Sequence, residues 1–207
     1  MMPIAVARSP WLSAANLVSL FRLALAPILV ALAYRHHESW FLACLCIALV
    51  SDIVDGKLAR WLGQASELGA RIDSWADFAT YTTVPLCAYW LVPEVLADEA
   101  VYFWLIVASM ILPKVYGFLK FRKLTCYHTR GAVAAAYVVG AATVLMFAGI
   151  AIWPFRIAAV LVVLPKLEEM AITTVLPEQV TMVRSLRVAL RLRREILNRS
   201  PQAPPAR

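Results

Sequence analysis

The sequence predicts an all-α integral membrane protein, with six transmembrane helices and a basic amphipathic helix at the C-terminus. Three observations predict it. Hydrophobic residues make up 62% of the 207 and charged residues 16%, with a mean hydropathy of +0.72. Globular domains run to about 45–50% apolar and about 25% charged, so this excess of apolar surface calls for lipid as solvent. Six apolar stretches come close to the roughly 20 residues that a bilayer requires: 17–35, 39–60, 69–92, 100–118, 131–152 and 155–177. Finally, the basic residues fall on one set of connections.

The breaks between stretches carry polar punctuation: His36, His37 and Glu38, then Pro93, Glu94, Asp98 and Glu99, then Trp153 and Pro154. Trp104 and Trp153 suit a membrane interface. One set of connections holds Lys57, Arg60, Arg71, Lys120, Arg122, Lys123 and Arg130. The tail adds Arg184, Arg187, Arg191, Arg193, Arg194 and Arg199. The opposite set holds Arg35 and Arg156 against Glu38, Glu94, Asp98 and Glu99. Positive charge marks the cytoplasmic side. Both termini and the 52–77 region are therefore expected to face the cytoplasm, in a cytoplasmic membrane. Arg8 ahead of an apolar stretch, with Ala31, Leu32 and Ala33, also fits a cleaved leader, whose removal leaves the sidedness of the later spans unchanged.

The chain accordingly divides into a cytoplasmic N-terminal segment (1–16), a six-span domain (17–178) and a basic cytoplasmic tail (179–207). The net charge of +7 is assigned to the membrane surface and anionic substrates, with no nucleic acid as partner. In the tail, Arg184, Arg187, Arg191 and Arg194 recur at helical spacing, with Leu186, Leu190 and Leu197 as apolar contacts. That pattern suits either a helix on an anionic leaflet or a solvated charged tail. The fifth stretch, rich in Gly and Ala from Gly131 to Ala142, predicts close helix packing. Cys44, Cys46, Cys87 and Cys126 read as small apolar packing residues. Lys166, Glu168 and Glu169 are charges inside the sixth stretch, where a site is the default hypothesis. Lys166 and Glu169, three apart, also suit a structural pair.

The chemistry concentrates between Ser51 and Phe78. Asp52 and Asp55 lie three apart near the end of the second stretch. Asp73 and Asp77 lie four apart near the start of the third. On helices each spacing places a pair on one face, and a hairpin between the helices can gather all four. Carboxylates at a membrane boundary repel one another and resist desolvation. Only Lys57, Arg60 and Arg71 are near in sequence to help. An all-oxygen set favours Mg²⁺, Mn²⁺ or Ca²⁺ over zinc, and four Asp suit two ions about 3.5–4 Å apart. Two such ions suit displacement at phosphorus. Gly56 leaves room for a ligand, Gly69 lies near the start of a helix, where free N–H groups favour phosphate, and Arg60 offers a planar fork.

Asp52, Asp55, Gly56, Ala59, Arg60, Gly69, Asp73 and Asp77 together resemble the signature of the CDP-alcohol phosphotransferase family, D-x2-D-G-x2-A-R-x8-G-x3-D-x3-D, at every spacing. Asn16, Leu17, Ser19, Arg22 and Pro27 are similar to that family's first-span opening, usually Asn-Leu-x-Thr-x-x-Arg. The resemblance covers about 16–178. It implies a transferase that moves a phosphatidyl group from CDP-diacylglycerol to a small alcohol and releases CMP. It implies two Mg²⁺ or Mn²⁺ ions held by Asp52, Asp55, Asp73 and Asp77, with Asp77 also the catalytic base. Asp52, Asp55, Gly56, Ala59, Arg60 and Gly69 would line the CDP pocket, and a homodimer is the family's frequent assembly.

The acceptor is less marked. Asp73, Ser74, Tyr81 and Pro85 lean towards serine-using members, whereas Tyr81 and Thr82 depart from their Phe-Gly pattern. Lys114, Lys120, Arg122 and Arg130 offer either an acceptor-phosphate site or topogenic charge. The expectation is glycerol 3-phosphate, with serine or an inositol compound as alternatives. A divalent-cation channel or carrier is the rival class. It explains the acids but not Gly56, Ala59, Arg60 and Gly69 at fixed offsets.

Overall fold

The computed structural model describes residues 14–61, 67–122, 127, 129–180, 183 and 185–199, with the backbone alone at 14–16, 55–61, 67, 68, 70, 71, 73, 74, 77, 130, 197 and 199. The chain runs through α1 (Ala14–Tyr34), α2 (Glu38–Trp61), α3 (Glu67–Leu91), α4 (Pro93–Asp98), α5 (Ala100–Phe121), α6 (Arg130–Phe147), α7 (Trp153–Leu161), α8 (Val163–Val175) and α9 (Leu186–Arg199). No strand occurs among the described residues. A helix satisfies its backbone polar groups internally, which an apolar surrounding demands.

The helix ends are built by local chemistry. His36 takes a left-handed φ of 55°. Its N–H reaches the carbonyl of Ala33 at 3.0 Å, and that of His37 reaches Leu32 at 3.0 Å. This double bond pattern closes α1. Gly149, at φ 68°, closes α6 in the same way through Met146 and Leu145. At the start of α6 the buried Thr129 hydroxyl accepts the Ala132 N–H at 3.2 Å, a conventional N-cap.

Among the described residues, two helical stretches, Leu17–Tyr34 and Ala100–Phe121, are long and apolar enough to cross a membrane, and Gly131–Phe147 is a shorter apolar helix. The other segments expected to span depart from that standard for identifiable reasons. α2 and α3 are 24 and 25 residues long, but their facing ends carry the charged 52–77 region. The stretch 155–177 is two helices, α7 and α8, meeting at Val162. Pro165 has no N–H to offer the Leu161 carbonyl, so the ladder breaks there. The break between 92 and 100 holds the short α4, whose Pro93 supplies a preset first-turn φ.

α1 packs against both α2 and α3. Leu29, Ala33, Phe41, Leu45 and Cys87 form one buried cluster, joined by Phe147 of α6. A second cluster joins α3, α5, α6 and α7 through Ala88, Phe103, Met110, Met146 and Phe155. A third binds α8 to α9 through Tyr127, Ile172, Leu176, Val183 and Ala189. The small residues of α6 permit close approach: a Cβ on Gly140 would stand 2.8 Å from Leu49 Cδ2, and one on Gly131 would stand 3.3 Å from Pro165 Cβ.

Tyr34, Trp40, Tyr89, Trp104 and Trp153 are exposed. They lie at one end of the bundle, where α1 and α3 finish and α2, α5 and α7 begin. An aromatic belt at this level suits a bilayer interface. Glu99 is buried at this same end and pairs with Arg156 through both carboxylate oxygens. That guanidinium holds the Glu99 carboxyl below the usual carboxylate range.

Candidate active site

The opposite end gathers the start of α1, the end of α2 and the start of α3. α2 places Asp52 and Asp55 on one face of its last turns, and α3 places Asp73 and Asp77 on one face of its first turns. Residues 62–66 connect the helices, which holds their facing ends within about 20 Å. Both helices lie against α1. Gly69 falls in the first turn of α3 and is half-buried.

Arg22 of α1, part of the family-like first-span opening, acquires a role from the fold that its local sequence does not give. Its side chain is 2% exposed and forms an ion pair with Asp52, whose side chain is 27% exposed. Sequence proximity had pointed to Lys57, Arg60 and Arg71 as the compensating cations. The side chains of those three lie outside the described residues, and the fold adds a charge 30 positions away. The signal was present: an arginine inside an apolar stretch is costly without a partner or a task.

The side chains of Asp55, Asp73, Asp77, Ala59 and Arg60 lie outside the described residues, as does that of Arg130. Among the described residues no group of three or more His, Cys, Asp or Glu side chains could hold a metal ion. The donor set nevertheless fits a hard divalent cation. It is all carboxylate, it is paired at helical spacing, and Asp52 has the buried guanidinium of Arg22 beside it. An open apolar groove between α1 and α2 is lined by Leu17, Val18, Phe21, Cys46, Ile47 and Val50.

Among the basic residues expected to meet an acceptor phosphate, Lys120 is engaged within the protein. The Lys120 ammonium donates to the carbonyls of Thr173, Thr174 and Leu176 at 2.8, 2.9 and 3.0 Å. An ammonium has three N–H donors, so all are committed to the C-terminal turn of α8, whose last carbonyls lack helical partners. Lys120 is thus a helix cap in this structure, with no donor left for phosphate. Lys114 is half-buried in α5, and Arg122 is exposed as the left-handed C-cap of that helix. The charges of α8 are structural as well. Lys166 pairs with Glu169 at 3.0 Å, and Glu168 accepts the Leu186 N–H at 3.0 Å.

The family model described as CDP-alcohol phosphatidyltransferase matches residues 12–177, and the chain belongs to that family. The family is membrane-integral and generally dependent on divalent metal. Among its relatives, a "Putative cardiolipin synthase" of Mycobacterium tuberculosis is 37% identical over 97 residues, covering 43% of this chain and 46% of the relative. A "Cardiolipin synthase (CMP-forming)" of Streptomyces coelicolor is 37% identical over 98 residues, covering 41% and 46%. The enzyme of that name from Rattus norvegicus is 37% identical over 70 residues, covering 33% and 23%. The chain spans about half the length of the first two relatives. No solved structure matches it.

Proposed function

We propose that the chain is a membrane enzyme that transfers a phosphatidyl group from CDP-diacylglycerol to an alcohol and releases CMP. The observation that carries this is the eight-position signature distributed over the facing ends of α2 and α3, inside a family match that spans 12–177. Asp52, Asp55, Asp73 and Asp77 would hold two Mg²⁺ or Mn²⁺ ions. When bound, these supply charge neutralisation at the phosphate oxygens and at the leaving group. Gly56, Ala59, Arg60 and Gly69 line the CDP pocket, and Arg60 meets the charge that develops on CMP. Asp77 takes the proton of the acceptor hydroxyl. The hydroxyl oxygen bonds to the lipid-side phosphorus as the bond from that phosphorus to the CMP oxygen breaks. Arg22 holds the Asp52 carboxylate in place, as a positioning residue.

Six spans cross the bilayer, with the signature and both termini on the cytoplasmic side. The exposed aromatic ring at the far end supports this placement, and α7 and α8 together form the last, broken span. The assembly is a homodimer. The acceptor carries a glycerol phosphate. The relatives' names favour a lipid acceptor, because a cardiolipin synthase would use phosphatidylglycerol, and the full engagement of Lys120 removes one contact for a soluble dianion. Glycerol 3-phosphate, met by Lys114, Arg122 and Arg130, is the competing reading, with serine or inositol compounds behind it. CMP release by purified protein, given CDP-diacylglycerol and each acceptor in turn, tests both levels. Release with no acceptor on the panel removes the proposal.

A further inference from the structure

We infer that α9 is a docked cationic surface that binds the anionic lipid headgroups of the leaflet beside the signature. The inference rests on the bilayer placement above and does not depend on phosphatidyl transfer. α9 is held at its start: the Glu168 carboxylate accepts the Leu186 N–H at 3.0 Å, and the Ser185 hydroxyl accepts that of Val188 at 3.4 Å. One face is used against the protein, where Leu186, Ala189 and Leu192 pack on Tyr127, Ile172, Leu176 and Val183. Seven residues span about two turns, so Arg187, Arg191 and Arg194 stand in one line opposite that docked face, and all three are exposed. Arg193 is exposed nearer the docked face, and the exposed Glu195 offsets one charge.

Two further observations choose lipid over water alone. First, α9 sits where the lipid-facing surface ends. Leu112, Val115, Phe118 and Leu119 are exposed along α5 up to its C-terminus, and Lys120 ties that terminus to the end of α8 that leads to α9. Second, the basic line is flanked by exposed apolar residues, Val188 and Leu190, at 39% and 42%. Apolar flanks beside guanidinium groups match the boundary between acyl chains and headgroups. Because packing holds the helix, the arginines lie at a fixed level. Each contributes about fivefold to attraction for an anionic surface.

The test uses the full chain in nanodiscs of phosphatidylcholine, with and without phosphatidylserine. Amide hydrogen exchange is followed over residues 186–199. Anionic lipid is expected to slow exchange by roughly tenfold or more, and raising salt from about 0.1 M to about 1 M is expected to remove the slowing. The triple variant R187Q/R191Q/R194Q should exchange like the unaltered chain in neutral discs and gain nothing in anionic ones. A triple Lys variant should keep the gain. Equal exchange in both discs, or a gain that survives high salt, overturns the inference without the need for any variant. A chain that stays soluble and monodisperse without lipid or detergent would instead refute the bilayer placement itself.

Discussion

Arg22 on α1 and Asp52 on α2 form an ion pair in which the cation is buried and the anion is partly exposed. That asymmetry decides what each substitution does. Removal of Asp52 takes one carboxylate from a buried guanidinium, a loss of up to about 3–5 kcal/mol. Removal of Arg22 strands a carboxylate that water can reach. In detergent with chelator, D52N should therefore lower the unfolding midpoint more than R22M. The double variant should recover part of the D52N loss. Equal effects that simply add would show that the two side chains do not interact.

Lys120 gives a second prediction. Its three donors cap the last carbonyls of α8, so K120M should destabilise by about 2–3 kcal/mol, in the range for hydrogen bonds to charged groups. K120R should recover part of this. CMP release should show an unchanged KM for the acceptor in whatever fraction stays folded. A selective rise in that KM with unchanged stability would return Lys120 to the acceptor site.

Acid stability should report on the opposite end. Arg156 holds the Glu99 carboxyl below its usual range. A depressed folded value means that the stabilisation is fully present above the ordinary Glu pKa, about 4.3. It is lost as pH falls through the depressed value. E99Q should lower the thermal midpoint at neutral pH, and the two curves should converge as pH falls below about 4. Parallel curves down to the lowest pH would show that the pair contributes no proton linkage.

The helices were legible in the sequence wherever one stretch of apolar residues met one clear break. α1, α2, α3, α5 and α6 follow the expected stretches closely, because His36, Pro93 and Gly149 stop them by local backbone chemistry. The division of the last stretch at Val162 was less legible, because hydropathy is blind to the N–H that Pro165 lacks. In the site, the spacing of Asp52, Asp55, Gly69, Asp73 and Asp77 was visible because it is local. The partner of Asp52 was not, because Arg22 reaches it through tertiary packing. Leu190, read as an apolar contact of the tail, is exposed, and Ala189 fills the docked position. A basic helix with leucines on two faces does not declare which face the protein will take.

Close packing at Gly140 sets a steric limit. A Cβ there meets the far end of the Leu49 side chain at 2.8 Å. Leucine can turn aside from one methyl group, and the helix gains about 1 kcal/mol from Gly to Ala. G140A should then lie within about 1 kcal/mol of the unaltered chain. G140L has no such escape and should cost about 1–3 kcal/mol by forcing α6 away from α2. Thermal unfolding of both variants separates the cases, and a harmless G140L would mean that the two helices are not in contact there.

The acid quartet carries the most exacting prediction. If Asp77 takes the acceptor proton, D77N removes the base without removing the side-chain volume. CMP release should fall by about 10²- to 10⁴-fold, while circular dichroism and the unfolding midpoint in chelator stay near those of the unaltered chain. EDTA should silence the unaltered enzyme, and Mg²⁺ or Mn²⁺ should restore it, because hard oxygen ligands bind these ions reversibly. The two arms fail separately. Normal turnover by D77N removes Asp77 both as the base and as a required metal ligand, and leaves Asp52, Asp55 and Asp73 as the metal set. Full activity in chelator removes the ions and, with them, the reason for four carboxylates at one end of a membrane bundle.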